Sequence, residues 1–425
     1  MKYRLTYVFA FILALVTSLA FSALPSVSAV LTNVFTAVSS VSIFIGVCFT
    51  MFFVVLTTTG SVASLRRRKA FAKTFFKTAF WGIIATIIAL ALAYVVAAYI
   101  MPLAFTSSNA SAITADAISE SEELVKGLNV PKLVTAYLQN GSVVEFLSFG
   151  IFQGFVYFYI FLAIIAAYFL GFFLKPDVEV IRPLYVFYNA NTELGYRIGN
   201  FLVRLYNILI FFIAGYWFSV VMKTQLLKQA MWLVLIVAAF ALVFMLVVLP
   251  IMYLIGIRFK RKNIVSMWWS AFSLGLTSFF TGNVLFTLTE AELVARQEND
   301  VPKKYVSSMM PLLTIFSRVG LASISYILAL LIVNFSGATL SAGAYIILAL
   351  CCFGLSCVLG FLGGTEVVFT TILSLGAVGI ADVSVLPLFA LAPIMQSISC
   401  FMDTVTMFYG ACSLGTYDEL TTKKA

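Results

Sequence analysis

The chain has 425 residues, of which 62% are hydrophobic and only 10% charged, and its mean hydropathy is +1.07. Soluble domains carry roughly 25% charged and about 45–50% apolar residues, so this composition excludes a soluble globular protein, a disordered chain and a secreted disulfide scaffold. The net charge is +9 and there is no histidine, which excludes histidine-based metal sites, catalytic triads and proton relays. Apolar runs of about 20 residues recur and predict a polytopic helical membrane protein.

The first part of the chain reads as a regular series of apolar segments. The segment at 5–24 follows Lys2 and Arg4, and we interpret it as a transmembrane helix rather than a cleaved signal peptide. Basic clusters follow the second and sixth segments and predict the cytoplasmic side there, with the N-terminus inside. The polar, Ser-rich stretch 105–145 is predicted to be an external loop. The six segments are 5–24, 30–59, 78–101, 146–174, 205–222 and 231–257.

The last third of the chain combines interrupted apolar segments with charged spans. The run 263–288 is interrupted by Ser, Thr, Gly and Asn, and the run 338–380 is broken by Gly-Gly-Thr-Glu, which ends at Glu366. Each is followed by an apolar span with a charge inside it, Arg318 in the first and Asp403 in the second. Irregular backbone at membrane depth is tolerated only where protein or a water-filled cavity satisfies it. The paired interruptions therefore predict a transporter binding site built from discontinuous helices.

In the order and spacing of these elements, the chain resembles the dicarboxylate/amino acid:cation symporter family, the glutamate and aspartate transporter group. The run 269–283, which ends Thr-Gly-Asn, is similar to the family's first hairpin, and 360–366 is similar to the Gly-rich tip of its second. The stretches 35–102 and 132–173 are similar to its second to fourth helices. The resemblance implies an all-α polytopic membrane protein of the glutamate-transporter fold, with eight transmembrane helices and two re-entrant helical hairpins, working as an elevator.

The resemblance also implies an organisation and partners. We expect a homotrimer in the inner cell membrane with both termini cytoplasmic, surrounded by lipids, binding a small-molecule solute and no nucleic acid. The expected division is 1–77 for helices 1 and 2 (scaffold), 78–145 for helix 3 and an external loop, 146–228 for helices 4 and 5 (scaffold and trimerisation), 229–257 for helix 6, 258–304 for the first hairpin, 305–337 for helix 7, 338–385 for the second hairpin, and 386–425 for helix 8 and a cytoplasmic tail.

The sequence departs from the family where sodium and substrate would bind. The resemblance places the Asn-Met-Asp-Gly-Thr signature on 317–321, which here reads Ser-Arg-Val-Gly-Leu, so Val319 replaces the sodium-binding Asp. The arginine that grips acidic substrates would fall at 404–406, where there is none, and Asp403 is the only charge of that span. Hard cations prefer oxygen ligands. Weak sodium binding is therefore expected, and coupling to protons, to a counter-substrate or to no ion stands beside sodium coupling.

Arg318 is the most informative single residue. A charge at mid-membrane costs about 2.5–3.5 kcal/mol on insertion scales, so Arg318 should face the interior, with Asp403 as the obvious partner. It could staple two helices, supply positive charge at a substrate or cation site, or face lipid. In the second case it either grips an anionic group of the substrate or takes the place of a lost sodium ion as a permanent internal cation.

The two hairpin tips supply the remaining site candidates. Opposed tips would offer amides, carbonyls and hydroxyls to a solute, as helix ends do, although ordinary helix breaks and close-packed small residues would look the same. The candidate substrate-binding residues are Thr281, Gly282, Asn283, Arg318, Gly363, Gly364, Thr365, Asp403 and Thr406.

Other acidic residues and the absence of enzyme motifs complete the prediction. Glu366 is interpreted as an exposed loop residue or, if buried, as a proton carrier. Glu290, Glu292, Glu298 and Asp300 are predicted to lie in a solvated cytoplasmic turn. There is no Walker-type loop and no nucleophile–base pair, so neither an enzyme nor a cofactor is predicted, and no metal is assigned. The sequence predicts a secondary transporter of a small carboxylate or amino acid; a transport-dead membrane sensor and a passive anion channel are the alternatives.

Overall fold

The structure is a computed structural model that describes residues 2–22, 25–67, 69–101, 156–174, 178–221, 231–256, 264–335, 338, 340–361, 366–380 and 386–422. All regular structure in these ranges is helical. Fourteen helices and two π-helical turns follow in order: α1 Lys2–Ser22, α2 Pro25–Arg67, α3 Phe71–Val95, π1 Val96–Ile100, α4 Val156–Phe173, α5 Arg182–Val221, α6 Met231–Val243, π2 Phe244–Val248, α7 Leu249–Gly256, α8 Ile264–Thr281, α9 Val284–Glu298, α10 Lys303–Phe316, α11 Val319–Phe335, α12 Ala342–Leu359, α13 Glu366–Ala377 and α14 Leu386–Thr422.

Several of these helices can cross a membrane. In the described ranges, five helical stretches are long and apolar enough, and a sixth span results if the two halves of α5, bent by 51°, count as one. The predicted multi-pass membrane protein is confirmed at this level, and the eight-span arrangement stays a prediction. The five stretches are Val30–Arg66, Phe71–Ile100, Met231–Gly256, Lys303–Asn334 and Ala342–Leu359.

The helices pack as two groups that meet along several helix contacts. In the first group, α2 contacts α1, α4 and α5. In the second group, α14 is central and contacts α3, α6, α7, α8, α9, α10, α11 and α13, and α12 joins the group through α10, α11 and α13. The groups meet at α5–α8, α2–α3 and α1–α8, and also where α2 and α5 contact α9 and α10. We call this last contact the seam: α2 touches both α9 and α10, and α5 touches α9. α14 thus contacts α8, α9, α10, α11 and α13, the helices that carry or flank the described candidate residues of the last third.

Many hydroxyl side chains in the interior are satisfied by their own helices. Thr78 donates to the Thr74 carbonyl at 2.7 Å, and Thr86 donates to the Gly82 carbonyl at 2.9 Å. Polar groups in a membrane-embedded interior need partners within the protein, because water is not available. This local bonding lets Ser and Thr lie between closely packed helices without an unpaired hydroxyl.

Candidate functional site

The candidate site is built on an interruption between α10 and α11, inside the stretch predicted as one span. Ser317 leaves helical geometry with φ −111° and ψ 58°, and its amide donates to the Leu313 carbonyl at 2.8 Å. Gly82 of α3 faces this break, because a β-carbon there would lie 2.9 Å from the Phe316 carbonyl oxygen. The stretch predicted as one span is one candidate span, Lys303–Asn334, with a break at 317–318 inside it, and the break is held against α3 by close backbone packing.

Arg318 lies in this break and is only 3% exposed. Its Nη2 donates to the Gly360 carbonyl oxygen at 2.5 Å, and its Nη1 is 3.7 Å from Oδ2 of Asp403. The guanidinium carbon is 4.8 Å from the centroid of the Phe361 ring. The interpretation of Arg318 as lipid-facing is wrong, because the guanidinium is enclosed by the end of α12 and by α14. The expected partner, Asp403, is in ion-pair contact with it.

Asp403 contacts both the guanidinium of Arg318 and the first backbone amides of α11. Its side chain is 2% exposed, and Oδ1 accepts a hydrogen bond from the Gly320 amide at 2.6 Å. Anions are stabilised at helix N-termini by the free amides and the helix dipole. Gly320 is needed for this approach, because a β-carbon at that position would collide with the Ser399 carbonyl oxygen. The Asp403 carboxylate thus stabilises the break, because it caps the N-terminus of α11 and offsets the positive charge of Arg318.

The tip between α8 and α9 lies where the sequence predicts an interruption. Thr281 ends α8, and Gly282 adopts φ +60°, a conformation that favours glycine. Asn283 caps α9: its Oδ1 accepts from the Leu285 amide at 2.7 Å and from the Phe286 amide at 3.3 Å. The re-entrant character of this pair of helices stays a prediction.

Side chains of this pair of helices reach α14 close to Asp403. Ser278 donates to the Cys400 carbonyl at 2.8 Å. The hydroxyls of Thr287 and Thr404 are 3.4 Å apart. The structure therefore places α8 and α9 against the turn of α14 that carries Asp403. Thr406, by contrast, is fully buried and donates to the Met402 carbonyl of its own helix at 2.7 Å.

The second tip is only partly described. Gly363, Gly364 and Thr365 lie outside the described residues. Glu366 begins α13, is 4% exposed and accepts a hydrogen bond from the Gln396 side-chain amide. The interpretation of Glu366 as an exposed loop residue is therefore wrong, because the first turn of α13 packs onto α14. Its alternative role as a proton carrier stays a prediction.

A comparison with protein families now identifies the chain's relatives. A family model described as the sodium:dicarboxylate symporter family matches residues 5–415. The chain belongs to the sodium:dicarboxylate symporter family. This family consists of transporters rather than enzymes, and it implies symporter-type transport of a small molecule. No curated protein matches the sequence.

Two of the acidic residues correct the prediction of a solvated turn in this symporter-family member. Glu290 is 2% exposed and Glu292 is fully buried, whereas Glu298 and Asp300 are exposed. The physical reason is that α9 packs against α2, α5, α10 and α14, so most of its length has no solvent-facing side. Charge density along the sequence does not reveal this burial.

Sequence reasoning missed three partners of the site. The Gly360 carbonyl and the Gly320 amide carry no side-chain signature, so only the fold reveals them as ligands of Arg318 and Asp403. Gln396 was detectable, because it is the only carboxamide in 386–416. Its side-chain oxygen accepts from the Val367 amide at 3.3 Å, so Gln396 ties α13 to α14.

Proposed function

We propose that this symporter-family protein is a secondary active transporter of a small carboxylate or amino-acid solute, and that it works without sodium because Arg318 supplies a fixed positive charge in the break between α10 and α11. The observation that carries this proposal is the position of the guanidinium, buried in the break and held between the Gly360 carbonyl and Asp403. A charge built into the chain needs no ion to be loaded in each cycle.

The surroundings of Arg318 favour an internal cation over a residue that grips substrate. Bidentate recognition of a carboxylate needs two neighbouring N–H groups on one open edge of the guanidinium. Here Nη2 is bonded to Gly360, Nη1 faces Asp403, and the edge at Nε is covered by Gly360, where a β-carbon would be 2.6 Å from Nε. The solute would then be held by the hairpin tips, including Thr281, Gly282 and Asn283, and by the second tip.

The residues at the break also disfavour sodium. A hard cation needs several oxygen ligands, and the aliphatic side chain of Val319 provides none. Asp403 is already engaged by the Gly320 amide and lies 3.7 Å from Nη1 of Arg318. A sodium ion beside the guanidinium would also meet like-charge repulsion in a medium of low dielectric constant.

The proposed movement follows the two groups of helices. We assign the helices packed around α14, together with α12, to a transport core, and we assign α1, α2, α4 and α5 to a scaffold. Sliding of the core along the seam would expose the tips to each side of the membrane in turn. A homotrimer in the inner membrane, with both termini cytoplasmic, belongs to the same proposal and rests on the family resemblance.

The proposal is tested by flux into proteoliposomes that contain the full chain. Radiolabelled aspartate, succinate and alanine serve as probes, with external sodium present or replaced by choline. We expect saturable uptake and counterflow of at least one probe at equal rates in both media. Uptake lost in choline would overturn sodium independence. Ohmic current without counterflow, or no flux of any probe, would overturn the carrier and favour the channel or the sensor.

A matched pair of variants links the result to Arg318. Arg318→Gln should abolish uptake, because it removes the positive charge and leaves Asp403 unbalanced. Arg182→Gln, an exposed change at the start of α5, should keep the wild-type rate. Equal uptake by both variants would remove Arg318 from the mechanism.

A further inference from the structure

A second buried carboxyl lies at the seam, far along α9 from the tip at Asn283. Glu292 is fully buried, and its Oε2 accepts a hydrogen bond from the Ser307 hydroxyl of α10 at 2.8 Å. The Tyr196 hydroxyl of α5 is 2.7 Å from the Ser307 oxygen and 3.4 Å from Oε2. One carboxyl thus joins side chains from both groups of helices.

The ionised Glu292 carboxyl would have too few hydrogen-bond donors. Each hydroxyl has one proton to donate. The shortest consistent arrangement is a chain in which Tyr196 donates to Ser307 and Ser307 donates to Glu292. Oε2 then has one good donor, whereas Oε1 meets no hydrogen-bond geometry among the described residues; the Thr57 hydroxyl lies within side-chain reach of the carboxyl but donates to the Val54 carbonyl at 3.5 Å. A buried carboxylate with an oxygen left unpaired is costly.

The charged groups around Glu292 do not neutralise it directly. On α10, Lys303 pairs with Glu193 of α5, with Nζ 2.5 Å from Oε1. On α9, Arg296 is 3.9 Å from the same Glu193 oxygen and stacks on the ring of Tyr196 at 4.3 Å. No ion pair within the described ranges includes Glu292 itself. Tyr168 on α4 is a further ionisable neighbour of Glu292.

A polar cavity lies next to this carboxyl. It has a volume of about 310 Å³ and lies between α2, α5 and the start of α10. Thr57 of α2 lines the cavity and is also a side-chain neighbour of Glu292. Hydroxyls and an amide at Ser61, Asn189 and Thr192 make the cavity suitable for water. Water in the cavity could therefore carry a proton as far as Thr57.

We propose that Glu292 is a proton-binding site of the seam. A hydronium ion that reaches the cavity through water gives its proton to Oε1; an O–H bond forms there, and the hydronium is left as neutral water. The protonated carboxyl can donate towards Thr57 and still accept from Ser307, so α2, α5, α9 and α10 are linked. Loss of the proton leaves a buried charge that draws in water and loosens the seam.

A proton suits this site better than a metal ion. A hard cation takes several oxygen ligands, and Oε1 is the one oxygen of the carboxyl that is free for a ligand. A proton needs only one lone pair. The idea that loosening of the seam lets the two groups of helices slide rests on the proposed transporter function. The protonation of Glu292 does not depend on that function.

Infrared difference spectroscopy of the full chain in lipid tests the site directly. Titration of pH should reveal a carboxylic acid C=O band that disappears as pH rises. The band should be absent in Glu292→Gln and retained in Glu298→Gln, a matched control at an exposed position of the same helix. A band that survives in Glu292→Gln, or that is lost instead in Glu290→Gln or Asp403→Asn, overturns the proposal.

A second variant keeps the test decisive if Glu292→Gln does not fold. Ser307→Ala combined with Tyr196→Phe removes both hydroxyl donors to Oε2 and should move the midpoint of the band's titration upward by about one pH unit, because the ionised form loses its charge-assisted hydrogen bonds. An unchanged midpoint contradicts the assignment.

Hydrogen exchange tests the effect on the seam. Amides of α9 and α10, corrected for intrinsic rates, should exchange faster above the midpoint in the wild type and independently of pH in Glu292→Gln. Equal protection on both sides of the midpoint contradicts the linkage. Neither readout requires flux, so sodium-dependent uptake with a titrating band would overturn the proposed function alone.

Discussion

The two buried carboxyls of Asp403 and Glu292 show how surroundings assign different roles to one chemical group. Asp403 is 2% exposed and Glu292 is fully buried, so neither side chain is directly exposed to solvent. Asp403 accepts from a helix N-terminus and lies 3.7 Å from a guanidinium nitrogen, so a negative charge on it would be compensated. Glu292 accepts only from hydroxyls, with one oxygen unpaired among the described residues. The surroundings of Asp403 suit a permanently ionised carboxylate, and those of Glu292 suit a carboxyl that binds and releases a proton.

The positions of the two groups match these roles. Asp403 joins α14 to the start of α11 and, through Arg318, to the end of α12, all within the group around α14. A permanent ion pair there holds one body together. Glu292 lies between the two groups of helices, where a contact has to be made and broken if the groups slide.

The largest expected effect comes from removing the charge of Asp403. Asp403→Asn leaves Arg318 buried without a counter-charge and should lower the free energy of unfolding by about 3–5 kcal/mol. The double variant Arg318→Met/Asp403→Asn should lose less, because no buried charge remains unpaired. Denaturant unfolding of the purified protein in detergent measures both. A double variant at least as unstable as Asp403→Asn would show that the pair is not compensated as described.

A smaller effect is expected from filling the space at Gly320. Gly320→Ala brings a methyl group against the Ser399 carbonyl oxygen and disturbs the amide that binds Asp403, so a loss of about 1–3 kcal/mol in the same unfolding assay is expected. Gly354→Ala on α12 is the matched control, because a β-carbon there has no neighbour within 4 Å. Equal stability of the two variants would mean that α11 and α14 are not in close backbone contact.

The cap of α9 tests how firmly Glu292 is positioned. Asn283→Ala removes the side-chain oxygen that accepts from Leu285 and Phe286, and should cost about 1 kcal/mol. Hydrogen exchange should quicken in the first turn of α9. Ser341→Ala, which removes a cap at the start of α12, should leave the exchange of α9 unchanged. Quicker exchange of α9 in both variants would point to global rather than local loosening.

The smallest effect is expected at Glu292 itself. Glu292→Gln replaces a protonated carboxyl by an amide of similar shape that can still accept from Ser307, so the free energy of unfolding at mildly acidic pH should change by less than about 1 kcal/mol. This contrasts with the expected loss for Asp403→Asn. A loss of about 3 kcal/mol or more would show that Glu292 is held as an anion, and the contrast between the two carboxyls would disappear.

Much of the site could be predicted where the signal is local. Thr281, Gly282 and Asn283 form a helix break because glycine and a capping asparagine act on their own backbone. The pairing of Arg318 with Asp403 could be anticipated because a lone charge in an apolar span requires a partner. The break at Ser317 could not, since it is set by the close approach of α3 and by the capping of α11 from α14.

Sequence alone determined the class of protein, its family resemblance and the scarcity of charge, because hydropathy and residue order do not depend on which helices touch. Tertiary structure decided which charged side chains are buried and which groups they contact. From the sequence alone, Glu292 and Glu366 are predicted to lie in loops. They are buried because α9 and α13 pack against helices from distant parts of the chain. Burial and hydrogen-bond partners are properties of contacts between helices, and those contacts distinguish a fixed charge from an exchangeable one.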